Sequence, residues 1–331
     1  MTDATVDEPS TDDSLDKTFR IASRIREEIS RALVGQEQAV HHTLLALFAG
    51  GHILMEGVPG LGKTLLIRAL AKTFGGGFSR IQFTPDLMPS DITGHALYEL
   101  KSQEFRIRKG PIFTHLLLAD EINRAPAKTQ AALLEVMQEN QATIEGQSFE
   151  LPRPFMVMAT QNPIEQEGTY PLPEAQLDRF LFKVVIDYPT ATEETRLVEL
   201  VTRGHVGDAL NVSDVQTVVS QQTVEAVQQV VSRITVDQRI VDYAVRIVRA
   251  TRKWQGLAMG AGPRGGIALV RAARAEAVLA QRDYVTPEDV KSVALPALRH
   301  RVMLSPEFEM EGHATDTILT GLLQRVEAPR Q

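Results

Sequence analysis

The stretch that decides the fold occupies residues 57–64 and reads Gly57-Val58-Pro59-Gly60-Leu61-Gly62-Lys63-Thr64. It matches the pattern G-x-x-x-x-G-K-[ST] of a phosphate-binding loop, or P-loop. Its glycines allow backbone N–H groups to turn inward around a polyphosphate, in conformations that a side chain would hinder. Lys63 is expected to reach the β- and γ-phosphates of a nucleotide, and Thr64 is expected to offer its hydroxyl to Mg²⁺.

The residues on either side of this loop favour a nucleotide site. Residues 52–55 form a short apolar run typical of a buried strand, and residues 65–70 begin an apolar helix. Strand, loop and helix in this order place phosphates at a helix N-terminus, where the helix dipole favours negative charge. The alternative is a glycine-rich surface turn, which the flanking elements disfavour. The predicted nucleotide-binding residues of this stretch are Gly57, Pro59, Gly60, Leu61, Gly62, Lys63, Thr64 and Leu65.

The composition excludes several classes of protein. The chain has 331 residues, enough for about two domains with substantial cores. It contains no cysteine, which excludes disulfides and thiolate metal sites and is consistent with a reducing cytoplasm. The net charge of −7 is concentrated in residues 1–16, which carry six acids and no base. The rest of the chain is nearly neutral, so it has no large basic field for wrapping nucleic acid.

Residues 1–16 are acidic and rich in Ser, Thr and Asp, a composition typical of a disordered tail. They lack the basic and apolar regions of a signal peptide, and no apolar run approaches the length of a membrane span. We therefore predict a disordered acidic tail over residues 1–16, no membrane segment and a cytoplasmic location.

Apolar strand-like runs alternate with helical segments from residue 17 to residue 188, which predicts an α/β fold with a parallel sheet covered by helices. Two further runs, at residues 96–107 and 143–149, alternate as hairpins do. After Pro189 the strand signal disappears, and Thr286-Pro287-Glu288-Asp289 has the composition of a helix start. We therefore predict an α/β P-loop core over residues 17–188 and an all-helical lid domain over residues 189–331.

Two acids follow a second apolar run. Leu116-Leu117-Leu118-Ala119 has the continuous apolar character of a central parallel strand, and Asp120-Glu121 come directly after it. Ligands bind at the carboxyl edge of such sheets, so Asp120 is expected to hold Mg²⁺ and Glu121 to polarise the attacking water. A strand that simply ends in a polar turn is the alternative, and the P-loop upstream makes it the weaker one.

A third strand ends in polar residues at Thr160-Gln161-Asn162. Asn162 could orient the lytic water beside the P-loop, or it could cap the strand before Pro163, as Asn often does. The residues alone favour the cap. The histidines show no spacing with Asp or Glu that suggests a transition-metal site.

These motifs together resemble the AAA+ ATPases, with residues 57–64 as Walker A, Asp120-Glu121 as Walker B and Asn162 as sensor 1. The resemblance covers residues 19–325 and narrows to the MoxR branch. It also implies that Val34 and Gly35 contact adenine and that the predicted hairpin near residues 85–113 is the insert that marks this clade. The strings that resemble MoxR proteins are Asp120-Glu121-Ile122-Asn123-Arg124-Ala125-Pro126, Ala159-Thr160-Gln161-Asn162-Pro163 and Glu174-Ala175-Gln176-Leu177-Asp178-Arg179-Phe180.

The same resemblance assigns roles to arginines. It implies that Arg179 is an arginine finger, which reaches the γ-phosphate bound by a neighbouring subunit and supplies transition-state charge. Arg124 is a competing candidate, since it too is expected near the subunit boundary. Arg264 is implied to be sensor 2, and whether it acts on the nucleotide of its own subunit or of a neighbour stays open.

The resemblance implies an ATP-hydrolysing, Mg²⁺-dependent chaperone that remodels or matures protein complexes. It also implies assembly into a ring, usually a hexamer, and a partner with a von Willebrand factor A domain. One alternative is a slowly hydrolysing nucleotide-dependent switch or scaffold. A nucleic-acid motor is a further alternative, against which the near-neutral charge and the low aromatic content of 5% argue.

Overall fold

The computed structural model describes residues 11–58, 60–101, 103–162, 169–202 and 212–329. A parallel sheet with helices on both faces forms from the part of the chain up to Val185. Its elements are α1 (Thr11–Ala32), α2 (Glu37–Phe48), β1 (Ile53–Glu56), α3 (Lys63–Thr73), β2 (Phe78–Gln82), α4 (Pro89–Thr93), β3 (Gly94–Glu99), β4 (Glu104–Lys109), β5 (Leu116–Asp120), α5 (Ala127–Glu139), β6 (Gln141–Ile144), β7 (Gln147–Glu150), β8 (Met156–Gln161), α6 (Glu174–Leu177) and β9 (Phe182–Val185), with a 3₁₀ turn at Ile122–Arg124.

The sheet has the strand order β2-β5-β8-β1-β9, and every neighbouring pair is parallel. In this order β1 lies between β8 and β9, with Ile53 paired with Met158 on one side and with Phe182 on the other. The predicted α/β fold with a parallel sheet is confirmed. Because all five strands run in the same direction, the segments that follow β1, β5 and β8 leave the sheet at the same edge.

The strands of the sheet are apolar on both faces because helices cover both. In β5, Leu116 and Leu118 belong to the core cluster that includes α1, α2 and α3, whereas Leu117 and Ala119 belong to the cluster that includes α5. All four of these side chains have no exposed surface. Burial from both sides explains the continuous apolar run that identified this strand.

Both predicted hairpins are present. β3 and β4 pair antiparallel from Gly94↔Lys109 to Glu99↔Glu104, and β6 pairs with β7. In the β6–β7 turn, Glu145 and Gly146 both have positive φ, at 48° and 78°. Two consecutive residues with positive φ suit the right-handed twist of a two-residue hairpin loop.

The C-terminal region is helical, as predicted, with the addition of one short antiparallel pair, β10–β11. Strands of three and two residues are too short for a periodic pattern to reveal. The elements of this region are α7 (Ala191–Thr202), α8 (Gln221–Arg233), α9 (Gln238–Thr251), β10 (Leu257–Met259), α10 (Pro263–Leu279), α11 (Pro287–Ser292), α12 (Ala294–Leu298), β11 (Met303–Leu304), α13 (Pro306–Met310) and α14 (Thr315–Arg325).

The predicted helix start at residues 286–289 is a capping box. The Thr286 hydroxyl accepts from the Asp289 N–H, and the Asp289 carboxylate accepts from the Thr286 N–H at 2.7 Å. β9 ends at Val185 and α7 begins at Ala191, so the boundary predicted near Pro189 falls between these elements. The division into two domains there stays a prediction.

The predicted tail is too long at its C-terminal end. Residues 11–16 belong to α1, and Leu15 is buried, with 6% of its surface exposed. Asp16 pairs with Arg20 one turn later, at 3.6 Å, so an acid in this segment is compatible with a helix. Burial of an apolar side chain therefore stabilises a segment that its composition alone would leave disordered. Residues 1–10 lie outside the described residues.

The buried His52 makes the stability of the fold depend on pH. Its Nε2 donates to the Met137 carbonyl and its Nδ1 accepts from the Val157 N–H, each at 3.0 Å, so the neutral ring is fully paired. Burial, with a smaller contribution from Arg271, lowers the pKa of His52 from 6.5 to about 4. Between these two values the unfolded chain binds a proton that the folded chain does not.

We therefore expect the free energy of unfolding to fall as the pH decreases from 7 to 5, with His52 contributing up to about 2 kcal/mol of the loss. Urea unfolding at several pH values measures this slope. His52→Gln keeps a donor and an acceptor but does not titrate, so its slope should be shallower than that of the wild type. Equal slopes would contradict the assignment.

Candidate functional site

A cavity of about 440 Å³ opens at the carboxyl edge of the sheet, where the segments after β1, β5 and β8 meet. We call it the P-loop cavity. The parallel sheet places it where ligands bind in folds of this type. Its lining residues are Gly57, Gly60, Leu61, Gly62, Lys63, Thr64, Leu65, Arg68, Arg80, Asp120, Glu121, Thr160, Gln161 and Asn162.

The glycines of the P-loop are required by backbone conformation and by close packing. Gly60 and Gly62 have φ values of 87° and 78°, in the left-handed region that favours glycine. At Gly57 an added Cβ would lie 2.5 Å from the carbonyl oxygen of Ile186. No side chain fits at that distance, so the loop can wrap tightly before α3 begins at Lys63. Pro59 lies outside the described residues.

Lys63 is half-buried at the N-terminus of α3, and its Nζ donates to the carbonyl oxygen of Gly57. Burial lowers the pKa of Lys63, while the nearby carboxylates of Asp120, Glu56 and Glu121 partly oppose this shift. The ammonium group therefore lies within the cradle of the P-loop, and an anion bound there would add to the acids that stabilise its charged form.

Asp120 is held by two other strands of the sheet. Its Oδ2 accepts from Arg80 on β2, at 2.7 Å from Nη2 and 3.1 Å from Nε. Its Oδ1 accepts from the hydroxyl of Thr160 on β8 at 2.6 Å. The same hydroxyl accepts from the N–H of Glu121 at 2.9 Å. Thr160 therefore orients both acids, because one side chain contacts the carboxylate of the first and the backbone of the second.

Glu121 has a left-handed backbone conformation, and its carboxylate pairs with an arginine. Its φ of 55° lies in the left-handed region, which is uncommon for a residue other than glycine and is found more often at functional sites. Its Oε2 accepts from Nη1 of Arg124 at 2.9 Å. In this arrangement Arg124 and Glu121 form an ion pair within the chain through one of the two carboxylate oxygens of Glu121.

The donors present fit a magnesium ion. Thr64 and Asp120 both line the P-loop cavity and offer a hydroxyl and a carboxylate, the hard oxygen donors that Mg²⁺ prefers. Among the described residues, no group of three or more His, Cys, Asp or Glu side chains could hold a metal by itself. A magnesium ion at this site would therefore depend on nucleotide phosphates and water for its other ligands.

Val34 and Gly35 line a neighbouring pocket formed with the end of α1, the start of α2 and Arg196 of α7. The adjacent Leu33 contacts the P-loop closely, since a Cβ on Gly62 would lie 2.9 Å from Leu33 Cδ1. Gln36 then donates from Nε2 to the carbonyl of Asp187 at 2.8 Å. The predicted adenine segment thus lies beside the phosphate loop, in a pocket that three apolar side chains, Leu33, Val34 and Val40, line together with polar and charged ones.

The structure does not bring Arg179 and Arg264 to the P-loop cavity of the same chain. They line a separate cavity, which we call the arginine cavity, together with Asp178, Arg271 and Arg301. Within the described part of the chain, no residue lines both cavities. Arg179 donates from Nη1 to the carbonyl of Leu134, and its buried Nε has no hydrogen-bond partner among the described residues.

Asn162, in contrast, lines the P-loop cavity, next to Gln161 and Thr160. This placement suits a group that orients water as well as a cap, so its role stays a prediction. The sequence did not predict Thr160, Gln161, Arg80 and Arg68 as lining residues. A signal for Thr160 did exist: it is the polar residue that follows the apolar part of β8, next to the strand that ends in Asp120.

Family models match both parts of the chain. The model described as "ATPase family associated with various cellular activities (AAA)" matches residues 52–182, and the model described as "AAA lid domain" matches residues 249–322. Among the described residues, none of the helices has the length and apolarity needed to cross a membrane.

Several known proteins are similar over nearly the whole chain. The uncharacterized protein YeaC of Bacillus subtilis is 47% identical, covering 92% of this chain and 94% of its own. The chaperone MoxR1 of Mycobacterium tuberculosis is 44% identical, covering 92% of this chain and 81% of its own. Protein MoxR of Methylorubrum extorquens is 33% identical, covering 93% of this chain and 95% of its own. The crystal structure of a protein from Cytophaga hutchinsonii, proposed to be an ATPase, superposes with a TM-score of 0.89 at 41% identity, over 97% of this chain and 98% of that one.

The role of Thr160 in holding the two acids is testable by stability alone. Thr160→Val keeps the shape of the side chain but removes the hydroxyl, which leaves the N–H of Glu121 without its acceptor. We expect a loss of about 1–3 kcal/mol in the free energy of unfolding, measured in urea. Thr160→Ser keeps the hydroxyl and is the matched control. If Thr160→Val and Thr160→Ser lower the free energy of unfolding equally, the hydrogen bonds of the Thr160 hydroxyl do not contribute to stability.

Proposed function

Because the chain belongs to the MoxR family of AAA+ ATPases, we propose that it hydrolyses ATP in the P-loop cavity and uses the energy as a chaperone of protein complexes. One observation carries the proposal: the P-loop, Asp120-Glu121 and Asn162 converge on one cavity, whereas Arg179 and Arg264 line another. The first cavity has the groups that bind a nucleotide and activate water. The second has the cations that a complete site still requires.

In this proposal the P-loop backbone and Lys63 bind the phosphates, and Val34 and Gly35 contact the adenine. Mg²⁺, held by Thr64 and Asp120, would neutralise charge on the β- and γ-phosphate oxygens when bound. Arg80 already donates to Asp120 Oδ2, but each carboxylate oxygen has two lone pairs and can accept a second contact.

Glu121 is the proposed general base, because its carboxylate lies at the carboxyl edge of β5 and lines the same cavity as Lys63. Its ion pair with Arg124 engages one of the two carboxylate oxygens. The remaining acceptor capacity of Glu121, increased if the side chain rotates away from Arg124, would take a proton from a water that Asn162 orients. The Glu121–Arg124 pair also favours Arg179 over Arg124 as the finger, because Arg124 is already engaged on its own chain's side of the site.

A ring explains the separation of the two cavities. If Arg179 and Arg264 face the P-loop cavity of a neighbouring copy, each nucleotide contacts two subunits, and the open question about Arg264 is answered in favour of the neighbour. We propose a hexamer, the usual assembly implied by the family resemblance. The division into a core over residues 17–188 and a lid over residues 189–331 is part of the same proposal.

Similarity to the chaperone MoxR1 supports work on protein clients. A partner with a von Willebrand factor A domain and a cytoplasmic location remain predictions of the sequence. The alternative is a slow nucleotide-dependent switch, which would signal by binding ATP rather than by turnover. The Glu121–Arg124 ion pair is the observation that favours this alternative, since it engages one oxygen of the proposed base.

Mixing two inactive variants tests whether the site is shared. Lys63→Ala removes the nucleotide site and Arg179→Ala removes the finger, so each protein alone should lose ATPase activity. In a mixture, subunits with an intact P-loop meet neighbours with an intact Arg179, and about a quarter of interfaces should recover in a random ring. Phosphate release measures the rate. Full activity of Arg179→Ala alone, or no recovery in the mixture, would contradict a shared site.

Glu121→Gln separates the chaperone from the switch. The variant should still bind ATP, but it should hydrolyse ATP about 10²–10⁴-fold more slowly because the general base is lost. A chaperone should then hold an unfolded model protein without releasing it, measured as ATP-dependent suppression of aggregation followed by a failure to refold. Glu145→Gln, an exposed change in the β6–β7 turn, is the control. Normal release by Glu121→Gln would favour the switch.

A further inference from the structure

The lid contacts the segment that carries Arg179 through one buried arginine. Arg301 follows α12, is 6% exposed and lines the arginine cavity. Its Nε donates to Asp178 Oδ1 at 2.7 Å, and its Nη2 donates to the carbonyl of Phe180 at 2.6 Å and to that of Asp178 at 3.1 Å. The two residues that flank Arg179 in sequence therefore both accept hydrogen bonds from one guanidinium.

Further contacts fix the same segment to the lid. Nη1 of Arg301 donates to the carbonyl of Leu181 at 3.3 Å, and Nε2 of the buried His300 lies 3.0 Å from the carbonyl of Phe180. Arg301 also donates to the carbonyl of Ala297 in the preceding helix, α12. Because a guanidinium is planar and its donors have fixed directions, these bonds restrict the backbone in orientation as well as in distance.

The burial of Arg301 makes this connection costly to break. An arginine with so little exposed surface is stable only with acceptors around it, and Asp178 supplies the one negative charge among them. Gly265 of α10 allows the lid to pack closely here, since an added Cβ would lie 3.2 Å from Leu298 Cδ2 and 3.5 Å from Arg301 Cδ. Arg264, next to Gly265, thereby lines the same cavity as Arg301.

Arg179 itself is less constrained than its neighbours. In the described ranges of the chain, its guanidinium donates from Nη1 to the carbonyl of Leu134 and lines the arginine cavity. Its backbone is therefore restrained through the residues on both sides, while its side chain stays available to an anion. A movement of α12 would move the carbonyls of Asp178 and Phe180, and with them the Cα of Arg179.

We propose that Arg301 is a positioning residue, which couples the lid to the arginine finger by holding the backbone on both sides of Arg179. This inference rests on the proposed finger role of Arg179. Arg301 does not contact the nucleotide of its own chain, since it does not line the P-loop cavity. Its loss should therefore affect the site of the neighbouring subunit and leave ATP binding by its own subunit intact.

Arg301→Gln tests the proposal, with Arg301→Lys as the conservative variant and Arg282→Gln as the control. Arg282 also pairs with an acid, Asp289, through two hydrogen bonds of 2.7 Å and 2.5 Å, but this pair lies wholly within the lid. Both Gln variants lose a partly or fully buried charge pair. The melting temperature should therefore fall for both Gln variants. ATPase activity should fall for Arg301→Gln alone, because only this variant releases the segment of Arg179.

We expect Arg301→Gln to lower kcat about 10²-fold, the cost of a catalytic group misplaced by about 1 Å, with unchanged binding of a fluorescent ATP analogue. Arg301→Lys should recover part of the rate. Mixed with Lys63→Ala, Arg301→Gln should regain activity, because each contributes what the other lacks. Mixed with Arg179→Ala it should not, because both lack a working finger.

Other results would overturn the inference. One is a kcat for Arg301→Gln within about threefold of the wild-type value. Another is recovery of ATPase activity when Arg301→Gln is mixed with Arg179→Ala. A third is no recovery when Arg301→Gln is mixed with Lys63→Ala, which would place the damage in the nucleotide site of the Arg301→Gln subunit itself. If Arg301→Gln does not fold, Asp178→Asn weakens the same link from the other side and should give the same mixing pattern. A wild type without ATPase activity, or an active Arg179→Ala, contradicts the proposed function instead. An inactive Arg179→Ala with an active Arg301→Gln contradicts only this inference.

Discussion

The parallel pairing of β1, β5 and β8 is the constraint on which the rest of the structure depends. Hydrogen bonds between these strands align Leu54 with Ala159 and Leu118 with Met158, so all three strands end at one edge of the sheet. The P-loop, Asp120-Glu121 and Thr160 are far apart in sequence but meet there. A shift of one residue in any strand would turn its apolar side chains to the other face and would remove its polar end from the cavity.

The proposed catalytic acids and the proposed arginine finger lie in different cavities. The acids Asp120 and Glu121 lie with Lys63, Arg68 and Arg80 in the P-loop cavity, whereas Arg179, Arg264, Arg271 and Arg301 line the other with Asp178 as their acid. Placing all these arginines beside Asp120 and Glu121 in one chain would join them in ion pairs, as Arg124 and Glu121 already are. Separation keeps the proposed finger available to a phosphate, and in the proposed ring each chain would contribute one part to each of two sites.

The packing of the lid helices determines which arginines reach the arginine cavity. The glycines after Arg264 are poor residues for a helix start by propensity. Gly265 lies where α10 approaches α12, however, and a Cβ there would lie 3.2 Å from Leu298 Cδ2, so that side chain would have to shift by a few tenths of an ångström. This close approach brings Arg264 and Arg301 to one cavity. The lid therefore contacts the segment of Arg179 through defined hydrogen bonds, and its position relative to the core sets where that segment lies.

The sequence by itself determined the class of fold and most of the P-loop cavity, because local patterns carry that information. The P-loop glycines, the apolar run before Asp120 and the capping box at Thr286 each depend on neighbours only a few residues away. It could not determine that α1 extends back to Thr11, that Thr160 holds Asp120, or that Arg301 holds the residues beside Arg179. These depend on contacts between residues 40 to 123 positions apart, or on burial against distant helices. Only the tertiary structure decided them, because such contacts form when the chain folds and leave no periodic pattern in the sequence.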